Sequence, residues 1–88
     1  MKAIVNYPVF RKYPHNRTFF KVISLLEFEE LQIIGKHYSI HPIKAKIFPD
    51  HNFIQDLIFD FTKNWIEINE EEYNEQMRTC EKTMKRLV

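Results

Sequence analysis

The chain has 88 residues, enough for one domain at most, and a formal net charge of +1. Its single cysteine, Cys80, excludes an internal disulfide, and its single glycine, Gly35, excludes a glycine-rich phosphate loop of the Walker or dinucleotide type. A near-neutral charge is the signature of neither a nucleic-acid binder nor a basic membrane-surface protein.

The chain begins Met1-Lys2-Ala3-Ile4-Val5, and residues 2–5 are read as a short strand. The apolar run there is too brief for a secretory signal, and no stretch approaches the roughly 20 apolar residues of a membrane span. With the lone thiol, this points to a reducing compartment, read as cytoplasmic. Residues 6–17 carry Tyr7-Pro8 and Tyr13-Pro14. Proline lacks a donor and holds its predecessor extended, so residues 1–17 read as an irregular arm or an edge, with two aromatic-proline bonds that are candidates for cis. Residues 18–24, Thr-Phe-Phe-Lys-Val-Ile-Ser, are aromatic and β-branched and predict a strand.

Residues 25–34 fit two elements equally. Ser24 with Glu27 matches a capping box and Gly35 a helix stop, while Leu31, Ile33 and Ile34 suit a strand. Residues 37–48 read as a strand whose apolar parity changes, from Tyr38 and Ile40 to Ile43, Ala45 and Ile47. A one-residue slip moves side chains to the opposite face, so a bulge or break is expected at Pro42. From Asn52, a candidate cap, Phe53, Ile54, Leu57, Ile58 and Phe61 recur at helical spacing and predict a helix over residues 52–62. Trp65 to Ile68 is short and extended. The last element, within residues 69–87, is the clearest. Asn69 caps it, Glu72 occupies the capping-box position, and Tyr73, Met77, Cys80, Met84 and Leu87 follow at steps of 4, 3, 4 and 3. Acidic residues crowd its first turns and basic ones its last, matching the helix dipole.

The expected fold is therefore α+β and one domain over residues 1–88: a small antiparallel sheet of about three strands, with residues 25–34 as a possible fourth, under two C-terminal helices. The expected core is Phe20, Val22, Ile40, Ile47, Phe53, Leu57, Ile58, Phe61, Trp65, Tyr73 and Met77.

Chemistry-bearing motifs are sparse. His37 and His41 lie four apart, but on a strand that separates them by about 13 Å, too far to share one metal. Cys80 falls on the apolar stripe, where a thiol is an inert small hydrophobe. Ser24 and Ser39 have no nucleophile-elbow surroundings, Glu70-Glu71-Glu72 reads as a solvated helix start, and Asp56 and Asp60 read as a polar helix face. No catalytic residue, cofactor or metal is expected. The leading expectation is a non-enzymatic interaction or accessory protein, with Tyr73, Met77, Cys80, Met84 and Leu87 as the seam for a second copy or another protein. If the seam pairs two copies, the acidic-to-basic run of the helix favours antiparallel ones. The second expectation is single-stranded nucleic acid on Arg11, Lys12, Tyr13, Arg17 and Lys21, because aromatic stacking beside cations is the physics of strand binding. An enzyme comes third.

Overall fold

A computed structural model of the chain describes residues 4–87. It is α+β: six strands in one mixed sheet, with two helices. The strands are β1 (Val9–Lys12), β2 (Thr18–Ser24), β3 (Glu27–Ile34), β4 (His37–Lys44), β5 (Ile66–Ile68) and β6 (Lys85–Arg86). The helices are α1 (Phe48–Phe59) and α2 (Glu70–Thr83). The spatial order is β5-β1-β2-β3-β4-β6, antiparallel throughout except where β6 lies parallel to β4.

The first four strands form a meander, each turn set by local chemistry. Asn16 takes the left-handed φ of 61° that closes β1 onto β2, and His15 Nδ1 accepts the Arg17 N–H at 3.0 Å. Ser24 Oγ accepts the Leu26 N–H at 3.0 Å, so the serine that matches a helix cap in sequence instead ties the Leu25-Leu26 turn between β2 and β3. Gly35 does not stop a helix. It opens the two-residue turn from β3 to β4 at φ 61°, the position where a type II′ hairpin turn demands glycine. Residues 25–34 thus resolve as hairpin turn and strand.

Several sequence expectations need correction. Residues 4–6 lie outside any strand, and the rest of the expected 2–5 strand falls outside the described residues. The first strand is β1, inside the proline-punctuated arm, with the Tyr7–Pro8 bond cis. No bulge occurs at Pro42, where β3 and β4 keep one register from Glu27↔Lys44 to Ile34↔His37. In a two-residue hairpin the residues flanking the turn exchange bonds, so His37, Ser39, His41 and Ile43 face β3 and Pro42 faces outward. Its missing donor therefore costs the ladder nothing. Helix α1 starts at Phe48 rather than Asn52, with Pro49 in its first turn and the Asp50 carboxylate accepting the Lys46 N–H at 3.2 Å. Helix α2 keeps its Asn69 cap, which accepts the Glu72 N–H at 2.8 Å, but ends at Thr83. Lys85 and Arg86 then leave the helix to join β4.

The parity change along β4 has a different cause from the expected slip. The sheet is covered on both faces. Helix α2 lays Tyr73 and Cys80 on Phe10, Phe19, Leu31, Tyr38 and Ile68, with Ile33, Ile40 and Met77 alongside. Helix α1 lays Ile54, Leu57 and Ile58 on Phe20, Val22 and Phe28 of the opposite face, where Trp65, Phe53 and Ile43 also pack. The start of β4 is therefore apolar towards α2 and its end towards α1. Of the expected core, Ile47 stands out as misplaced, at 60% exposure.

Trp65 anchors the α1 face. Its ring meets Phe53 at 5.5 Å, Tyr13 at 5.9 Å and Phe20 at 6.1 Å, and its indole N–H is buried without an acceptor among the described residues. On the α2 face, buried Tyr73 donates to Glu29 Oε1 at 2.7 Å. Burial, then the Glu29 hydrogen bond and charge, push the Tyr73 phenol well above its ordinary value. Unfolded tyrosine loses its proton near pH 10 while the folded one keeps it. This contribution is thus complete below about pH 10 and declines above it, by about 1.4 kcal/mol per pH unit. Urea unfolding between pH 8 and 11.5 should show a steeper alkaline loss of stability in the wild type than in Tyr73→Phe. Equal slopes would assign the loss to other groups.

Candidate interaction surface

Four of the five residues expected to form a helix seam pack inside the chain, and Leu87 stays 41% exposed. Tyr73 and Cys80 are buried on the sheet, Met77 and Met84 pack against the same cluster, and Leu87 lies past the helix, its N–H bonded to Tyr38 O. Burial raises the Cys80 thiol, with the Gln76 hydrogen bond opposing, so the cysteine is an unreactive filler.

The expected nucleic-acid residues divide between the two faces. Arg11 is buried on the α1 face. Its Nε donates to Leu57 O at 2.8 Å, its Nη2 to Ile58 O at 3.4 Å and its Nη1 to Phe10 O at 2.8 Å. The guanidinium also stacks 3.8 Å over the Phe61 ring. Burial lowers its pKa, and Glu67 at 3.8 Å opposes that. Tyr13 packs on Trp65, Phe20 and His15. Lys12 pairs with Glu72 at 2.8 Å. Lys21 is half-buried, flanked by Phe10 and Glu29 in the neighbouring strands, and Arg17 is exposed. Of the five, only Arg17 is exposed, and Arg11 and Lys12 lie on opposite faces of the sheet.

One polar pair has the composition of a catalytic dyad: Ser39 Oγ lies 2.9 Å from His41 Nε2, and Glu30 sits opposite His41. Ser39 is buried in the middle of a regular strand. The ladder with β3 takes the backbone N–H groups of Ser39 and His41 themselves. Among the described residues there is no group of three His, Cys, Asp or Glu able to hold a metal, and no helix long and apolar enough to cross a membrane.

The exposed apolar residues are distributed unevenly. Leu25 and Leu26 form the β2–β3 turn, 50% and 60% exposed. Ala45 N–H bonds Leu26 O at 2.7 Å, which brings the β4–α1 connection past that turn. Ile47 and Phe48 follow directly, the phenylalanine 76% exposed. Ile23 and Tyr7 project at the same end, because Val9 pairs with Val22. Six large apolar side chains thus gather at one end of the sheet. Other exposed apolar residues include Ile34, beside the β3–β4 turn at the opposite end of the sheet, and Phe59, the last residue of α1.

Sequence reasoning misses this surface. Leu25 and Leu26 disturb both candidate periods, and that misfit is the available signal. Ile47 continues an alternating pattern and is therefore expected in the core. No family model matches the chain, and neither a curated protein nor a solved structure matches it.

Proposed function

We propose that this protein is a small non-enzymatic interaction module that binds another protein surface through the apolar end of its sheet, in a reducing, cytoplasmic setting. The observation that carries this is the convergence of Leu25, Leu26, Ile47 and Phe48, four large apolar side chains each at least half exposed, at one end. Monomeric proteins scatter such residues singly, and a contiguous patch marks a contact. The α2 stripe has less support as the contact, because Tyr73, Met77, Cys80 and Met84 pack on the chain's own sheet. The single-strand reading has less support, because Arg11, Lys12 and Tyr13 already have partners within the chain.

The test compares capture by the wild type with capture by Phe48→Glu and Leu26→Glu baits of unchanged fold. Partners should be lost from both variants. An unchanged captured set would place the contact elsewhere, and capture abolished by nuclease would favour nucleic acid.

A further inference from the structure

We infer that the apolar end takes a second copy of this chain, the two sheets meeting end to end about a twofold axis along the sheet normal. The inference rests on the interaction reading above and adds the identity of the partner.

The argument is the layout of charge around the patch. On the β5 side, α2 begins at this end, with Glu70 lining a groove beside Tyr7 and Pro8 and Glu71 next to it. On the β4 side lie Lys44 and Lys46, at a second groove of about 480 Å³ that they line with Glu27, Pro42 and Ile43. Among the described residues, none of Glu70, Glu71, Lys44 and Lys46 has an oppositely charged group within 4.0 Å. Asp50 is turned onto the Lys46 backbone N–H at the start of α1, and Glu27, half-buried, faces Lys44 across the ladder. The two flanks lie four strand spacings apart, roughly 19 Å.

Rotation by 180° about the sheet normal exchanges left and right. It sets the glutamates of one copy against the lysines of the other, twice, with Leu25, Leu26, Ile47 and Phe48 of both copies between them. The patch is therefore self-complementary in apolar character and charge, as an isologous interface requires. The opposite end-to-end pairing, about an axis in the plane of the sheet and perpendicular to the strands, would align glutamate with glutamate. Six side chains per copy are fewer than the 20–30 residues of a standard interface, so the association is weak and reversible.

Sedimentation velocity at low salt, from about 10 to 500 µM chain, should show the mass rising from 10.8 kDa towards twice that value. Phe48→Glu and Leu26→Glu should remain monomeric with wild-type Trp65 fluorescence. Lys44→Glu with Lys46→Glu should weaken the dimer about tenfold or more, and adding Glu70→Lys with Glu71→Lys should restore it. A monomer at every concentration, or a dimer indifferent to Phe48→Glu, overturns the inference. A monomer whose Phe48→Glu variant still loses captured partners would remove the second copy alone and leave the interaction reading standing.

Discussion

Arg11→Met should destabilise the protein by about 3 kcal/mol, lowering its melting temperature by roughly 12–24 °C for a domain of this size. The last four carbonyls of a helix have no intrahelical donor and must find donors elsewhere. In α1 (Phe48–Phe59), Asp60 N–H takes Asp56 O at 3.1 Å, and no basic residue occupies the last turn. Arg11, distant in sequence, donates to Leu57 O and Ile58 O and supplies the positive charge that the end of the helix dipole favours. Methionine fills some of the volume but strands those carbonyls, each costing about 1–3 kcal/mol when buried and unpaired. Arg11→Lys should recover less than half, because an ammonium cannot reproduce a planar fork that spans two carbonyls and stacks on Phe61. Glu67 is 3.8 Å away with its side chain largely in solvent, so Glu67→Gln should change stability by less than about 0.5 kcal/mol. Urea denaturation of these variants decides the matter. A loss below about 1 kcal/mol for Arg11→Met would mean the guanidinium is not the cap that holds α1 to β1.

Arginine 11 also shows what sequence reading can and cannot reach. A basic residue among aromatics in a carboxylate-free stretch looks like a phosphate contact. Only the fold reveals that its neighbours include the end of a helix more than 40 positions later. The elements specified by local chemistry are legible: the β-branched strand at residues 18–24, the Asn69 cap, and the apolar repeat of α2. Those specified by tertiary context are not. Strand β1 lies between prolines because Pro8 precedes its first paired residue and Pro14 follows its last, so neither removes a ladder donor. Strand β4 defeats a one-face period because α2 covers one end of it and α1 the other. The helix stripe is plainly apolar in sequence, but whether it meets its own sheet or a partner depends on the second face of that sheet. The exposed end is hidden for the same reason. Leu26 and Phe48 are ordinary apolar letters until the turn and the β4–α1 connection bring them together.

Stability and contact should therefore separate cleanly between two phenylalanines. Phe20→Ala should cost about 3–5 kcal/mol, a large part of the 5–15 kcal/mol that holds a typical domain together. Phe20 is buried at the centre of the α1 face, with ring centroids 5.7 Å from Tyr13, 5.8 Å from Phe53, 6.1 Å from Trp65 and 6.2 Å from Phe28. Truncation opens a cavity that these neighbouring rings, held by a sheet on one side and α1 on the other, cannot close. Each lost ring pair removes a further fraction of a kcal/mol beyond area burial. Trp65 is the chain's only tryptophan, so its emission reports the loosening directly. Phe48→Ala removes a ring of the same size that is 76% exposed, and its stability change should stay within about 0.5 kcal/mol. If Phe48→Ala proved as damaging as Phe20→Ala, the end of the sheet would be core rather than contact surface. A wild-type midpoint in Phe48→Ala, with association lost, would instead assign that ring to binding alone.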